Sequence, residues 1–438
     1  MVSLQNVHVG GDVNVYVDGL PESKPEVRDH FREGKRLQEA ERHREAIDEF
    51  LKAFASAEDD RQRSALHILI GNSFADLSEL EEAEGHYRQA LAAAEQVQDK
   101  LALGAALSNL GLVFRRRGDL EAAEEHHKKA LAIDEEIGNR LGQAQDLGNL
   151  GLVYGCRGGL EKAEEHLKRA LDIQQEIGDR LGEAQALGNL GNVYFQRGEL
   201  EKAEEHHQKA LAIHEEIGNR LGQANALGNL GNVYHRRGEL EKAEEHHKKA
   251  LAIHEEIGNK LGQANQLGNL GVICRDRGDL EKAEEHHRKV LAINEEIGNK
   301  LGQATHLGNL GVVQALRGEM DSAQHYFGRA LAIDEDIGNR LGQAGHLGNL
   351  GNVYGGQGDL GKAEDYHKRA LAINQEIGNK LGQAIQLGNL GNVYAEGGDV
   401  DRAEQHYREA LALFDDIGAR LEASQIRHNM EELRKPTP

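Results

Sequence analysis

Residues 181–220 read LGEAQALGNLGNVYFQRGELEKAEEHHQKALAIHEEIGNR, and residues 221–260 repeat them with few substitutions. The match runs outward in both directions. Gly71, Gly111, Gly151, Gly191, Gly231, Gly271, Gly311, Gly351 and Gly391 recur at an interval of forty residues, with no insertion or deletion. A fixed period of that length marks a stack of small identical units rather than one globular core. The 438 residues would otherwise suggest two or three globular domains, and the period overrides that expectation.

One unit predicts two helices. Asp179 is a good N-cap, and Asn219, Asn259, Asn299, Asn339 and Asn379 take its place in later units. Leu187, Leu190, Gly191 and Tyr194 follow the i, i+3, i+4, i+7 spacing of a buried stripe, and Gly198 supplies the left-handed stop. Leu200, Ala203, His207, Ala210, Leu211, Ile213 and Ile217 form the stripe of a second helix that ends at Gly218. Gly191 and Ala203 are small where two helices of a hairpin approach each other. Glu205–Lys209, Glu244–Lys248 and Glu245–Lys249 are surface pairs at i, i+4, worth a few tenths of a kcal/mol each.

Leu187, Leu190-Gly191, Tyr194, Gly198, Ala203, the ring position 207 and Ala210-Leu211 resemble the tetratricopeptide repeat pattern position by position. The forty-residue unit with N-L-G-N-x-Y and I-G-[ND]-[KR] is similar to the repeats of Pins-type adaptors and to the sensor arrays of bacterial signalling ATPases. The resemblance implies an all-α, right-handed α-solenoid of ten hairpins plus a C-terminal capping helix. It also implies a concave groove lined by first helices, which binds a peptide or protein. The expected boundaries are a tag and linker over 1–24, a divergent first hairpin over 25–58 and nine regular hairpins over 59–418. A capping helix over 419–434 and a tail over 435–438 complete the chain.

Composition narrows the partner. A net charge of −22 disfavours nucleic acid and anionic membrane surfaces, which both ask for a basic face. Cys156 and Cys274 occupy different repeat positions and form no disulfide framework, which suits a reducing cytosol. No signal peptide and no apolar run of membrane-spanning length is apparent, so a cytoplasmic protein is expected. No phosphate-binding loop, nucleophile elbow or paired catalytic acids occur, so no enzyme activity and no cofactor are expected. The recurrent Glu-x-x-His of Glu204/His207, Glu244/His247 and Glu284/His287 has a metal-ligand spacing. The facing helix offers no carboxylates, so His207 reads as a packed ring and no metal is expected.

The repeats differ from one another mainly at positions 185, 192, 195 and 196, on the face opposite the core stripe. Asn192, Asn232, Asn352 and Asn392 alternate there with Leu152, Val272 and Val312. Phe195, Gln196, His235, Arg236 and Arg275 add an apolar anchor and a local basic patch suited to an acidic peptide. Exposed positions elsewhere, such as Glu204, hardly vary. Asn189, Asn229, Asn269, Asn309, Asn349 and Asn389 form an invariant ladder with Asn109 and Asn149. Their amides either grip an extended ligand backbone or bond across to a neighbouring repeat. Adjacent histidines, His207 and His247 among them, are expected to gain charge between pH 7 and 5.5.

Val7, Val9, Val13, Val15 and Val17 alternate with polar residues around Gly10-Gly11-Asp12, a strand or hairpin pattern suited to pairing with another chain. A loose tail is the other reading of this segment. Two functions follow: a scaffold or sensor that captures a peptide or partner protein, or a solenoid that self-assembles through its strand or its ends.

Overall fold

The computed structural model describes residues 24–433, so the valine-rich segment of 7–17 and its expected strand lie outside the described residues. Among the described residues there are twenty-one α-helices and no strand. They run as hairpins: α1 (Pro25–Glu39) with α2 (His43–Ala55), α3 (Asp60–Asp76) with α4 (Leu80–Gln96), α5 (Lys100–Arg117) with α6 (Leu120–Ile137). Next come α7 (Arg140–Cys156) with α8 (Leu160–Ile177), α9 (Arg180–Arg197) with α10 (Leu200–Glu216), and α11 (Arg220–Arg236) with α12 (Leu240–Glu256). Then follow α13 (Lys260–Asp276) with α14 (Leu280–Glu296), α15 (Lys300–Leu316) with α16 (Met320–Asp336), and α17 (Arg340–Gly356) with α18 (Leu360–Glu376). The last hairpin is α19 (Lys380–Glu396) with α20 (Val400–Asp416), and α21 (Arg420–Leu433) closes the series. The described residues divide into two compact units, which meet between Val233 and Tyr234 in the sequence.

Helix ends are set as the sequence dictates. The Asp179 side chain accepts from the Gly182 N–H at 2.9 Å, and Asn219 and Asn259 do the same for Gly222 and Gly262. Each such bond satisfies one of the orphan donors of a helix N-terminus. At the other ends, a glycine every twenty residues from Gly118 to Gly418 holds a φ of +68° to +83°. In the divergent early hairpins Glu41, Ser78 and Gln98 adopt the same left-handed geometry, φ +58°, +62° and +52°, with a Cβ in the way.

In hairpins of both units a glycine is pressed on a large side chain sixteen residues later. A Cβ on Gly191 would sit 2.6 Å from His207 Cε1, and one on Gly151 2.6 Å from Leu167 Cγ. Phe327 stands in the same relation to Gly311, Tyr407 to Gly391 and Tyr87 to Gly71. Even the divergent first hairpin keeps it, with Phe50 against Gly34 at 2.5 Å. Ala203, facing the same seam, is fully buried. The position therefore asks for bulk and not for one chemistry.

Hairpins join through a second repeated device. Glu164 accepts from the Tyr194 hydroxyl at 2.8 Å and pairs with Arg197 of the next hairpin and with Lys168 of its own helix. Partial burial works to raise its pKa, but Lys168, Tyr194 and Arg197 outweigh that and bring it down to about 2. Glu124 clasps Tyr154 and Arg157 alike, and Glu244 and Glu284 reach Arg277 and Arg317. The constancy of Glu204 therefore has a structural cause: it is half-buried with polar partners, not the idle solvent-facing residue that the sequence suggested.

Gly191→Val should cost about 1–3 kcal/mol by overpacking against His207. Hydrogen exchange should localise the loss to α9, α10 and their immediate neighbours. Adding His207→Ala should recover part of it; equal loss of protection along the whole chain would contradict nearest-neighbour stacking.

Candidate functional site

In five hairpins the side chain that fills the hairpin meets a further neighbour nineteen residues on, in the first helix of the next hairpin. His127 Nδ1 lies 3.0 Å from Asp146 Oδ1, which also accepts from Ser108 Oγ at 2.8 Å. His247 and His367 place Nδ1 at 2.8 and 2.9 Å from the carboxamide oxygens of Gln266 and Gln386. His287 meets His306 at 3.3 Å, and Phe327 packs near the ring of His346. After Tyr87, Leu167 and His207 the same place holds only Ala106, Ala186 and Ala226.

Ala186 and Ala226, each with a glycine thirty-eight residues earlier where Ala106 has Ile68, open the protein. The residue at this place also covers a glycine of the preceding hairpin. A Cβ on Gly268, Gly308, Gly348 or Gly388 would lie 2.5–2.9 Å from His306, His346, Gln386 or Ile426. At Gly148 and Gly188, which precede Ala186 and Ala226, it would meet nothing within 4 Å. A cleft lies at each. The first, of about 440 Å³, contains Gly148 and Ala186, with Leu167, Ile177 and Leu181 as its apolar part and Asn109, Asn149 and Asn189 as amides. The second, of about 210 Å³, contains Gly188 and Ala226, with His207, His214, Asn192 and Asn229. They adjoin, sharing Leu181, Gln185 and Asn189.

The second cleft is polar yet uncharged: no Asp, Glu, Lys or Arg lines it. His207 is almost completely buried, and its Nδ1 has no hydrogen-bond partner; nor has that of His214. Burial, helped by the neighbouring His206, pushes the pKa of His207 down to about 3, and burial lowers that of His214. Burial likewise brings His247 down to about 4 and His287 to about 3. The expectation that these rings charge between pH 7 and 5.5 is thus wrong for the native state; desolvation keeps them neutral.

The residues singled out in the sequence fall into separate places. Asn189, Asn192 and Asn229 come together on the second cleft. Phe195 packs partly against the cluster of Leu190, Val193 and Tyr194, and Gln196 is exposed. Asn232 and Asn269 are half-buried and hold polar contacts. His235 Nε2 and the Arg275 guanidinium both lie 2.8 Å from the Asp276 carboxylate, so the patch of His235, Arg236 and Arg275 carries its own acid. Asn309, Asn349 and Asn389 are half-buried, and Asn352 is exposed.

Asn392 accepts from the Tyr407 hydroxyl at 2.7 Å and from Asn429 at 3.2 Å, and Asn72 accepts likewise from Tyr87 and Asn109. The cross-repeat reading of the asparagines therefore applies at those two places, where the large side chain is a tyrosine. Ala186 and Ala226 escaped the sequence reading. The available signal was their smallness beside Asp146, Gln266, His306, His346 and Gln386 at the same repeat position, combined with a glycine thirty-eight residues earlier that Ala106 lacks.

His206 has other work than metal binding: its Nδ1 lies 2.8 Å from the Lys202 carbonyl, and its ring packs on Tyr194 at 4.9 Å. Among the described residues no three His, Cys, Asp or Glu side chains converge as a metal would need. Among them, too, no helix is long and apolar enough to cross a membrane.

A family model described as tetratricopeptide repeat matches residues 102–176, 182–256, 263–336 and 342–416, and a second with the same description matches 65–101. No curated protein matches the sequence. Among solved structures, the apo form of RapI is similar at a TM-score of 0.59 and 18% identity, over 80% of this chain and 98% of that one. A Rap protein complexed with competence and sporulation factor gives 0.54 and 18%, over 81% and 99%. A signal-transduction ATPase with numerous domains and a tetratricopeptide repeat sensor, from Pyrococcus horikoshii, gives 0.56 and 16%, over 86% and 67%. At these identities the likeness is one of fold.

Native His207 and His247 bind protons near pH 3 and 4, the unfolded chain near 6.5. Their contribution to stability is therefore complete above about pH 6.5 and is lost as the pH falls toward the native values, by about 1 kcal/mol per histidine per pH unit. Asp134, raised to about 7 chiefly by burial, acts in the opposite sense in its own hairpin. Hydrogen exchange at pH 7.0 and 5.5 should show protection falling in α10 and α12; unchanged protection there would contradict the burial effect.

Proposed function

The chain belongs to the tetratricopeptide repeat family, and from that premise we propose that it is a non-catalytic interaction module that captures an extended peptide of a protein partner. The observation that carries this reading is the pair of adjoining clefts that Ala186 and Ala226 open. At the same repeat position His306, His346, Gln386 and Ile426 cover the glycine beneath them. The first cleft offers apolar walls to a side chain. Asn189, Asn192 and Asn229 offer both donors and acceptors, which suits an extended backbone. Neutral, desolvated imidazoles and amides are equipment for recognition more than for bond-making.

The partner is a protein or peptide rather than nucleic acid or membrane, in keeping with the charge of −22. That a Rap protein of similar fold is complexed with competence and sporulation factor supports reading this fold as a capturing surface. Cys156 and Cys274 are both free thiols, in keeping with a cytoplasmic setting.

A fluorescence-anisotropy screen of the full chain against a library of extended peptides tests the reading. Replacing Asn189, Asn192 and Asn229 together by Ala should weaken the best ligand at least about tenfold, since each lost hydrogen bond is worth roughly 0.5–1.5 kcal/mol. Glu205→Ala and Glu245→Ala are the matched controls, because those carboxylates are exposed and pair along their own helix with Lys209 and Lys249. Glu204 and Glu244 would be poor controls, Glu244 being tied to Arg277. Binding kept by the asparagine variant and lost by the controls would refute the proposal.

A further inference from the structure

The polar cleft bears a specific deficiency. His207 is almost completely buried with an unpartnered Nδ1, and the residue nineteen positions on is Ala226. The hairpins of His247 and His367 solve the same problem with a glutamine: the carboxamide of Gln266 or Gln386 reaches the imidazole Nδ1 at 2.8 or 2.9 Å. At the Gln386 copy that side chain also overlies Gly348. Over Gly188 nothing does, and the vacated space is the cleft of about 210 Å³. It is large enough to admit a side chain of glutamine size while leaving room for its approach.

The chemistry of the walls selects what can enter. With no Asp, Glu, Lys or Arg in the lining, a carboxylate or ammonium would lose its hydration without gaining a counter-charge. The imidazole stays neutral through the physiological range and does not supply that charge itself. A neutral ring nitrogen is a donor or an acceptor according to tautomer, and a carboxamide serves either, with N–H and C=O on one group. Asn192 and Asn229 can bond whichever end remains.

We propose that the cleft over His207 is a subsite for a neutral carboxamide, taking an asparagine or glutamine side chain of the captured chain in the place that Gln266 and Gln386 fill from within. The identity of the natural occupant rests on the peptide-capture reading; the subsite itself does not.

The test uses a free amide. The full chain, labelled with ¹⁵N in histidine, is titrated with propanamide, propionate and propylammonium, and the His207 ring signal is assigned by its loss in His207→Phe. Phe327 already occupies that position in another hairpin, so this variant should fold. Propanamide should shift the His207 signal saturably, with a Kd of about 10–100 mM for so small a ligand, and the two ions should not. Ala226→Gln should abolish the response by filling the cleft, whereas Ala186→Gln, which fills the neighbouring one, should leave it. Gln266 and Gln386 show that the fold accepts glutamine there.

Absence of a propanamide shift, an equal shift with propionate, or a shift that survives Ala226→Gln overturns the subsite. Failure of the peptide screen with the amide response intact would remove the capture reading and keep the subsite. Peptide capture without an amide response would do the reverse.

Discussion

Close approach of a glycine in one helix to a large side chain sixteen residues later is the constraint on which the structure depends. Nothing larger than hydrogen fits at Gly151, Gly191 or Gly311, and the partner at 167, 207 or 327 can be leucine, histidine or phenylalanine. Because the hairpin asks there only for volume, the identity of that side chain is released for other uses. Histidine fills the space and carries a nitrogen into the interior, where it needs a partner. At His127, His247, His287 and His367 that need is met by the residue nineteen positions on, in the next hairpin. One packing rule thus generates both the core and the polar seam between hairpins.

Much of this was legible in the sequence, for a physical reason. Period, helix stripes, capping Asp and Asn, and the stop glycines are local signals, each determined within a few residues, and Asp179, Gly191 and Gly198 do what their spacing implied. The site was less legible because it depends on what is missing. Ala186 and Ala226 look like ordinary helix residues until the side chains at 306, 346 and 386 are seen covering the glycines beneath them.

Charge was misread for a related cause. His235, Arg236 and Arg275 suggested a basic patch, but Asp276 lies against His235 and Arg275 and offsets part of that charge. Histidine protonation followed the solution value, whereas desolvation at His207 and His247 governs it. Constancy among repeats also misled: Glu164 and Glu244 are constant because each clasps an arginine of the following hairpin, not because solvent makes no demands on them.

The clasps also bear on how such a chain can change over generations. Tyr194 reaches back thirty residues to Glu164, Arg197 thirty-three to the same carboxylate, and Arg180 forward thirty-six to Glu216. All of these spans are shorter than one forty-residue period. Misaligned recombination between the nearly identical coding segments could therefore insert or delete a whole unit and still present every clasp with a matching partner. Copy number is free to drift, but the two adjoining clefts travel with the segments that carry Ala186 and Ala226. Duplicating that segment would multiply ligand subsites, while duplicating one with Gln266 or His306 would only lengthen the spacer.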